Sequence, residues 1–442
     1  MAVVDVAAPA VGANRSLLDR SLSVFTDVRA GEGATAVLMM ANIFLLLFCY
    51  SVIKTVREPL ILLGGGAEVR TYAAAGQAVL LMGFVPFYGW FASRVDRIKL
   101  IVGVTLLFVV CIELFAGAVA ASVPYVGVVF YIWVGIFSIS LIAQFWSFAN
   151  DIYSKEAGDR LFPLITIGMT AGAPLGPLIA GRLFGEGTPA QVILQISAVL
   201  LLASLVPYIL VNTREVRRVT RPPDTLTTQS GFALVLRSPY LRLIAVLIVL
   251  LNVVNTTGEY LIGRLATAQA QTLLQADPSF NAQAYVGAFY GSYQFWVNVA
   301  ALVLQALVAS RLVKYAGMRG ALLALPIIAL GAYSTIALGV GFAAVRWAKT
   351  AENATDYSIM NTARQLMWLP TSRDEKYKAK QAIDTFFVRA GDVIAAGVVL
   401  VGTTWLALDV RGFALSNVVI VVAWMALAVM ILRRHRTMTG EV

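Results

Sequence analysis

The chain has 442 residues, 59% of them hydrophobic and only 13% charged, with a formal net charge of +10 and a mean hydropathy of +0.79. These values exclude a soluble enzyme and a soluble nucleic-acid binder; they describe a polytopic membrane protein whose excess Lys and Arg belong to short cytoplasmic loops. Cys49 and Cys111 lie in apolar stretches and the single histidine, His435, lies in a basic tail, so no disulfide, metal cluster, histidine-based active site or cofactor is expected.

Residues 1–34 hold no apolar core, hence no cleavable signal is expected, and they read as a cytoplasmic segment. Within them RSLLDRSLSVFTDVRA (15–30) sets Leu17, Leu18, Leu22 and Phe25 against Arg15, Asp19, Arg20 and Asp27, the pattern of a short amphipathic helix at the membrane surface. Apolar segments then run at 35–60, 71–93, 100–122, 124–150, 161–184, 189–212, 241–264, 281–309, 320–340, 342–369, 381–406 and 412–432. Each is long enough to span a bilayer, which takes about 20 residues. The expected fold is therefore all-α, with twelve transmembrane helices in two six-helix halves, 35–212 and 241–432. The polar stretch 213–240, with Arg214, Arg217, Arg218, Arg221 and Pro222-Pro223, reads as a cytoplasmic linker, and 433–442 as a basic cytoplasmic tail. With both termini inside, most of the 34 Lys and Arg fall in inner segments, and Arg70, Arg182, Arg264 and Arg411 are left to outer loops or helix ends. A weak repeat, Ala92-Ser93-Arg94 and Ala309-Ser310-Arg311 opening basic loops, agrees with two parallel halves.

Several segments carry polar residues that a bilayer would exclude without a function. In Tyr50–Leu63, Lys54, Arg57 and Glu58 stand at i, i+3 and i+4 and share one helical face. Either the helix ends at Val56 and the charges sit in headgroups, or they line a transport path. Segment five carries Gly168, Gly172 and Gly176 with Pro174, Pro177 and Gly181, a smooth strip for close helix approach. Segment seven presents Asn252, Asn255, Thr256, Thr257 and Glu259, the last being the acid expected to titrate or to pair with a cation. Segment eight adds Tyr285, Tyr290, Tyr293, Gln294 and Asn298. Segment ten holds Arg346, Lys349, Glu352, Asn353, Asp356, Asn361, Arg364 and Gln365, a self-neutralising ladder if the whole segment is buried. Segment eleven has Asp384, Arg389 and Asp392.

YSVIKTVREPL (50–60), FWSFANDIYSKEAGDRLFPLITIG (145–168) and YSIMNTARQLMWLPTSRDEKYKAKQAID (357–384) resemble the ATP/ADP translocase family of intracellular bacteria and plastids. The likeness runs from about residue 35 to 430. It implies a major-facilitator-like architecture and nucleotide exchange through a few intramembrane Lys and Glu. Arg57 stands where that family has a Lys in its first helix, following an Arg matched by Lys54; Glu259 stands at its seventh-helix Glu and Arg364 at a Lys of its tenth helix. Its fourth-helix Glu falls on Val134, and its Gly-Lys of helix eleven is replaced by Gly391-Asp392, which marks a divergent branch.

No P-loop is present, so transport is expected to run on exchange or on an ion gradient rather than on ATP hydrolysis. No nucleophile–base pair points to an enzyme. The expected role is secondary transport of an organic anion, a nucleotide or related phosphorylated metabolite, in a bacterial inner membrane. Lys54, Arg57, Arg364, Arg389, Asn255, Tyr293 and Asn361 are the expected substrate ligands, and Glu58, Glu259, Glu352 and Asp356 the coupling groups. Expected partners are the bilayer, the anionic substrate and a proton or counter-substrate, with no nucleic acid. The alternative is proton-coupled transport of another small molecule such as a drug, siderophore or carboxylate, with Glu259, Glu352 or Asp356 carrying the proton.

Overall fold

A computed structural model describes residues 16–24, 26–92, 94–214, 231–372 and 374–439. The expectations for Arg15 and Phe25 of the amphipathic segment, and for Arg217, Arg218, Arg221 and Pro222-Pro223 of the linker, lie outside the described residues. All the regular structure described is helical.

The chain enters through a short helix, α1 (Leu17–Leu22). Asp19, expected on its polar side facing water, is instead buried. Its carboxylate accepts from the backbone N–H of Gly33 at 2.9 Å and of Gly31 at 3.2 Å, and from the Ser16 hydroxyl at 2.8 Å. It thereby caps the next helix, whose first amides have no partner of their own. Burial pushes the Asp19 pKa up, but these hydrogen bonds outweigh it and hold the carboxyl at about 2.

Next comes α2 (Glu32–Ala92), 61 residues broken at Gly66, whose φ of 81° is open chiefly to glycine. A straight helix of that length would measure about 90 Å. The Arg70–Glu58 ion pair at 2.6 Å joins residues twelve apart, which only a hairpin folded at Gly66 allows. The first arm runs through Arg57 and Glu58 without interruption, so the reading in which the helix stops at Val56 does not hold. The chain continues through α3 (Arg97–Ala120), α4 (Val126–Ile152), α5 (Lys155–Gly185), and α6 (Ala190–Ala203) with α7 (Leu205–Arg214). Asn42 of α2 donates to the Ser204 carbonyl at 2.7 Å, satisfying the group that the α6–α7 break leaves free.

Beyond the linker, α8 (Gly231–Arg237) leads into α9 (Pro239–Ala276), α10 (Ala282–Val303) and α11 (Ser310–Ala337), the last broken at Gly317. Then follow α12 (Phe342–Thr355) and α13 (Asn361–Met367), joined by a π-helical turn Asp356–Met360. The chain closes with α14 (Lys380–Ala382), α15 (Val388–Thr404) and α16 (Val410–Thr439). The basic tail expected after residue 432 is the last part of α16, and His435 is buried beside Tyr240.

Twelve spans are expected, and nine described helices are long and apolar enough to cross a membrane. The difference has physical causes. Two of the nine, 32–92 and 282–337, carry the glycine breaks, and the charged stretch 342–367 falls outside an apolar count. The buried apolar residues form two clusters. One is built from Val28 to Val211; the other centres on 235–432 and reaches across to Ile61, Leu62, Ala67, Ala73 and Tyr131. The glycine strip explains how the first packs so closely: a Cβ at Gly168, Gly172 or Gly176 would lie 2.1–2.7 Å from backbone oxygens of α2.

Candidate substrate cavity

The two clusters meet around a polar cavity of about 180 Å³. The first arm of α2 supplies Lys54, Arg57 and Glu58, and its second arm Arg70. From the other half, α9 supplies Asn255 and Glu259, α10 Tyr290, Tyr293, Gln294 and Asn298, and the α12–α13 helix Asn353 and Tyr357. Charges on one helical face of α2 thus point at the polar face of α9, as the i, i+3, i+4 spacing requires.

The charges form one connected chain. The Glu58 carboxylate accepts from Arg57 and, at 2.6 Å, from Nε of Arg70. Arg70 reaches across to Glu259 of the other half at 3.2 Å. Glu259 also accepts from the Tyr293 hydroxyl at 3.2 Å and the Asn353 amide at 2.9 Å. Arg57 lies 4.1 Å above the Tyr131 ring, which adds a cation–π contact to its pairing with Glu58. Arg57, Glu58 and Arg70 are all buried. The cavity therefore presents three cations to two carboxylates. Lys54 has no hydrogen-bond or ion-pair partner among the described residues, so its ammonium is the surplus positive charge.

Arg70 is the cavity residue that sequence reading misplaced. Set beside an outer loop there, it is buried in α2 and bridges the halves. Its signal is the Gly64-Gly65-Gly66 triplet, which allows so tight a hairpin that residue 70 is already one turn inside the second arm.

Lys54, Arg57, Glu58, Asn255, Glu259 and Tyr293 are brought together. The other expected residues are not. Arg364, Asn361 and Asp356 line a second cavity with Asn252, Trp368, Lys380 and Asp384. Arg389 lines neither cavity; it pairs with Asp392 at 3.5 Å, and Asp392 accepts from Thr256 at 2.9 Å, so this unit ties α15 to α9. Glu352 is buried against Lys349 at 2.9 Å and Tyr333 at 3.0 Å, away from the central cavity. Lys349 is fully buried in α12, so the charged start of segment ten is buried helix and not an outer loop.

The halves are in contact at the end of the bundle opposite the chain termini. A Cβ at Gly181 would meet Gly291 at 3.0 Å. Tyr260 donates to Glu68 at 2.9 Å.

A buried, charge-lined cavity between two apolar helical halves is the arrangement of major-facilitator-type transporters, and solved structures of that type share this fold. The nucleoside transporter NupG matches with a TM-score of 0.63 at 12% identity, over 90% of this chain and 98% of that one. A peptide transporter, POT, solved with sulfate matches with a TM-score of 0.64 at 15% identity, over 96% and 99%. A bacterial homologue of the iron transporter ferroportin, in an inward-facing state, matches with a TM-score of 0.62 at 15% identity, over 89% and 98%. The chain has the fold of these transporters, and its long apolar helices are those of an integral membrane protein.

No protein-family model matches the chain. Among curated proteins, ADP,ATP carrier protein 1 of Chlamydia trachomatis serovar D is 22% identical over 429 residues, covering 79% of each chain. ADP,ATP carrier protein 1 of Chlamydia muridarum is 23% identical over 296 residues, covering 58% of this chain and 54% of that carrier. The chain is thus similar in sequence, at low identity, to these ADP,ATP carriers.

Proposed function

We propose that this protein is a secondary transporter that exchanges an organic anion, a nucleotide or related phosphorylated metabolite, by rocking its two halves about the central cavity. The observation that carries the reading is the charge arrangement: three cations facing two carboxylates in a buried cavity, with Lys54 unpartnered. A cation that faces a cavity inside the membrane with no ion pair of its own is costly, and an anionic cargo supplies the missing charge. The guanidinium of Arg57 suits bidentate contact with phosphate. The names of the carriers related in sequence support a nucleotide as cargo.

In this scheme the Arg70–Glu259 bridge holds the halves together in the empty carrier, and an arriving anion competes with Glu58 and Glu259 for Arg57 and Arg70. Loosening of the bridge then depends on cargo, which favours exchange over unaccompanied return. The scheme is set in a bacterial inner membrane with both termini cytoplasmic, following the distribution of Lys and Arg.

The test is uptake of labelled ADP into liposomes carrying the purified protein, with and without nucleotide inside. Uptake that requires internal nucleotide and vanishes in Arg57→Ala is the expected result. Uptake driven by a pH gradient, indifferent to internal nucleotide, would move the function to the proton-coupled alternative. Binding is checked independently by thermal stabilisation, since a ligand at 100 times its Kd adds about 2.7 kcal/mol to the folded state.

A further inference from the structure

The second cavity is separate from the central one and larger, about 260 Å³ against about 180 Å³. Its charged walls are Asp356 and Arg364 of the α12–α13 helix, Lys380 of α14 and Asp384 just after it. Among the described residues, no ion pair forms between any two of the four. Lys380 donates to the side-chain oxygen of Gln365 at 2.7 Å, and the buried Nε of Arg364 donates to nothing. Asn252, Asn361 and Gln365 add amide groups, and Trp368 an indole.

Between the two chambers lies a neck of about 10 Å³, room for roughly one water. It shares Asn255 and Asn353 with the central cavity and Leu251 and Asp356 with the second, and it is also bordered by Glu352, which Lys349 and Tyr333 hold. The π-helical turn Asp356–Met360 sits at this divide. Asp356 faces the neck and the second chamber while its neighbour Tyr357 faces the central cavity. Single π turns inside α-helices recur at functional sites.

We infer that the second chamber is a distinct cargo-binding site, in series with the central cavity, that takes an amphoteric organic anion. This rests on the transport reading above and adds to it a chemical class and a route. Two cations and two carboxylates that face one chamber without pairing with one another match a ligand bearing both an anionic group and hydrogen-bond donors. The anionic group goes to Arg364 and Lys380, and an amino or ring N–H donor to Asp356 or Asp384. Inorganic phosphate or pyrophosphate satisfies one pair and is repelled by the other. Cargo crosses between the chambers when the helix containing the π turn shifts and widens the neck.

The experiment is calorimetric titration of the purified full chain with ADP, pyrophosphate and adenosine. The unaltered protein is expected to bind two ADP. Arg57→Ala leaves one, the double variant Arg57→Ala/Arg364→Ala leaves none, and in Arg57→Ala pyrophosphate and adenosine each bind at least about tenfold more weakly than ADP. Asp384→Asn changes an exposed side chain and serves as a variant that keeps its fold. Made in the Arg57→Ala background, it is expected to weaken ADP and tighten pyrophosphate, a change of opposite sign that general damage does not produce. A single ADP site untouched by Arg364→Ala overturns the second site while leaving the transport reading standing. Equal binding of ADP and pyrophosphate in Arg57→Ala overturns the amphoteric class. No ADP binding by the unaltered protein overturns the nucleotide reading and this assignment with it.

Discussion

Two clusters of charge in this protein are built from similar parts and paired in different ways. In the first, Arg57, Glu58, Arg70 and Glu259 span both halves, border a cavity, and leave Lys54 over. In the second, Lys349, Glu352 and Tyr333 lie within one half and neutralise one another. Gly258 lets the second close up, since a Cβ there would lie 2.1 Å from the Tyr333 hydroxyl and 2.5 Å from the Lys349 ammonium. Burial alone therefore does not mark a functional charge. What separates the two is whether the pairing is complete and whether it crosses the seam between the halves.

The sealed cluster carries the largest expected change in stability. Lys349→Met strands Glu352 without its cation and should cost about 3–5 kcal/mol, while Lys349→Met/Glu352→Leu should recover most of that loss and retain transport. Thermal melting of the purified variants, with uptake measured alongside, reads both. A double variant that is stable but inactive would mean the sealed pair belongs to the transport machinery after all.

The shared cluster should respond in the opposite manner. Arg57→Ala leaves Glu58 still paired with Arg70, so melting moves little. Anion binding should weaken by roughly 2–3 kcal/mol, about 30- to 150-fold, for the loss of charge-assisted hydrogen bonds. Arg70→Met removes the tie between halves. Efflux from loaded liposomes into substrate-free buffer should rise relative to exchange. If Arg70→Met melts far below the unaltered protein and shows no such leak, Arg70 is structural and the two clusters are alike.

The sequence made part of this contrast legible. Lys54, Arg57 and Glu58 at i, i+3 and i+4, and Glu259 on a polar helical face, announce charges that a bilayer would not tolerate idly, and they do converge. Arg70 was not legible because its place depends on how tightly the chain turns at Gly66, a matter of one backbone angle. Arg364 read as a buried charge, but the π turn at Asp356–Met360 shifts the phase of its helix. Periodicity at 3.6 residues therefore could not say which chamber it faces. Arg389 and Asp392 show a spacing of three that predicts their pairing, yet spacing says nothing of the cavity they miss. The charged segment 342–369 was found as a helix because its apolar residues still recur, although its composition hides it from an apolar count.

Glycines give a smaller, geometric version of the comparison. Gly258→Ala presses on the sealed cluster and should destabilise by about 1–3 kcal/mol with little effect on the transport rate of the folded fraction. Gly291→Ala would put a Cβ 2.4 Å from Gly181 of the opposite half. That contact is backbone on both sides and has no flexible side chain to yield, so the halves must separate there. Its expected signature is a changed ratio of import to export rates with melting nearly unaltered.

The finest test exchanges one hydroxyl in each cluster. Tyr333 serves Glu352 at 3.0 Å and lies 2.9 Å from the Val254 carbonyl, so Tyr333→Phe leaves a buried carboxylate one partner short. Tyr293 donates to Glu259 at 3.2 Å and accepts from Asn353 at 2.8 Å, but Glu259 keeps Arg70 and Asn353 and has the cavity beside it. Both substitutions remove one hydrogen-bonding group, worth about 0.5–1.5 kcal/mol. For Tyr333→Phe that difference should register in melting and leave the apparent affinity for cargo unchanged. For Tyr293→Phe it should register in apparent affinity, a few-fold, and leave melting unchanged. Two variants that shift the same observable would show that pairing across the seam and pairing within one half are energetically equivalent, and the distinction drawn between the clusters would fail.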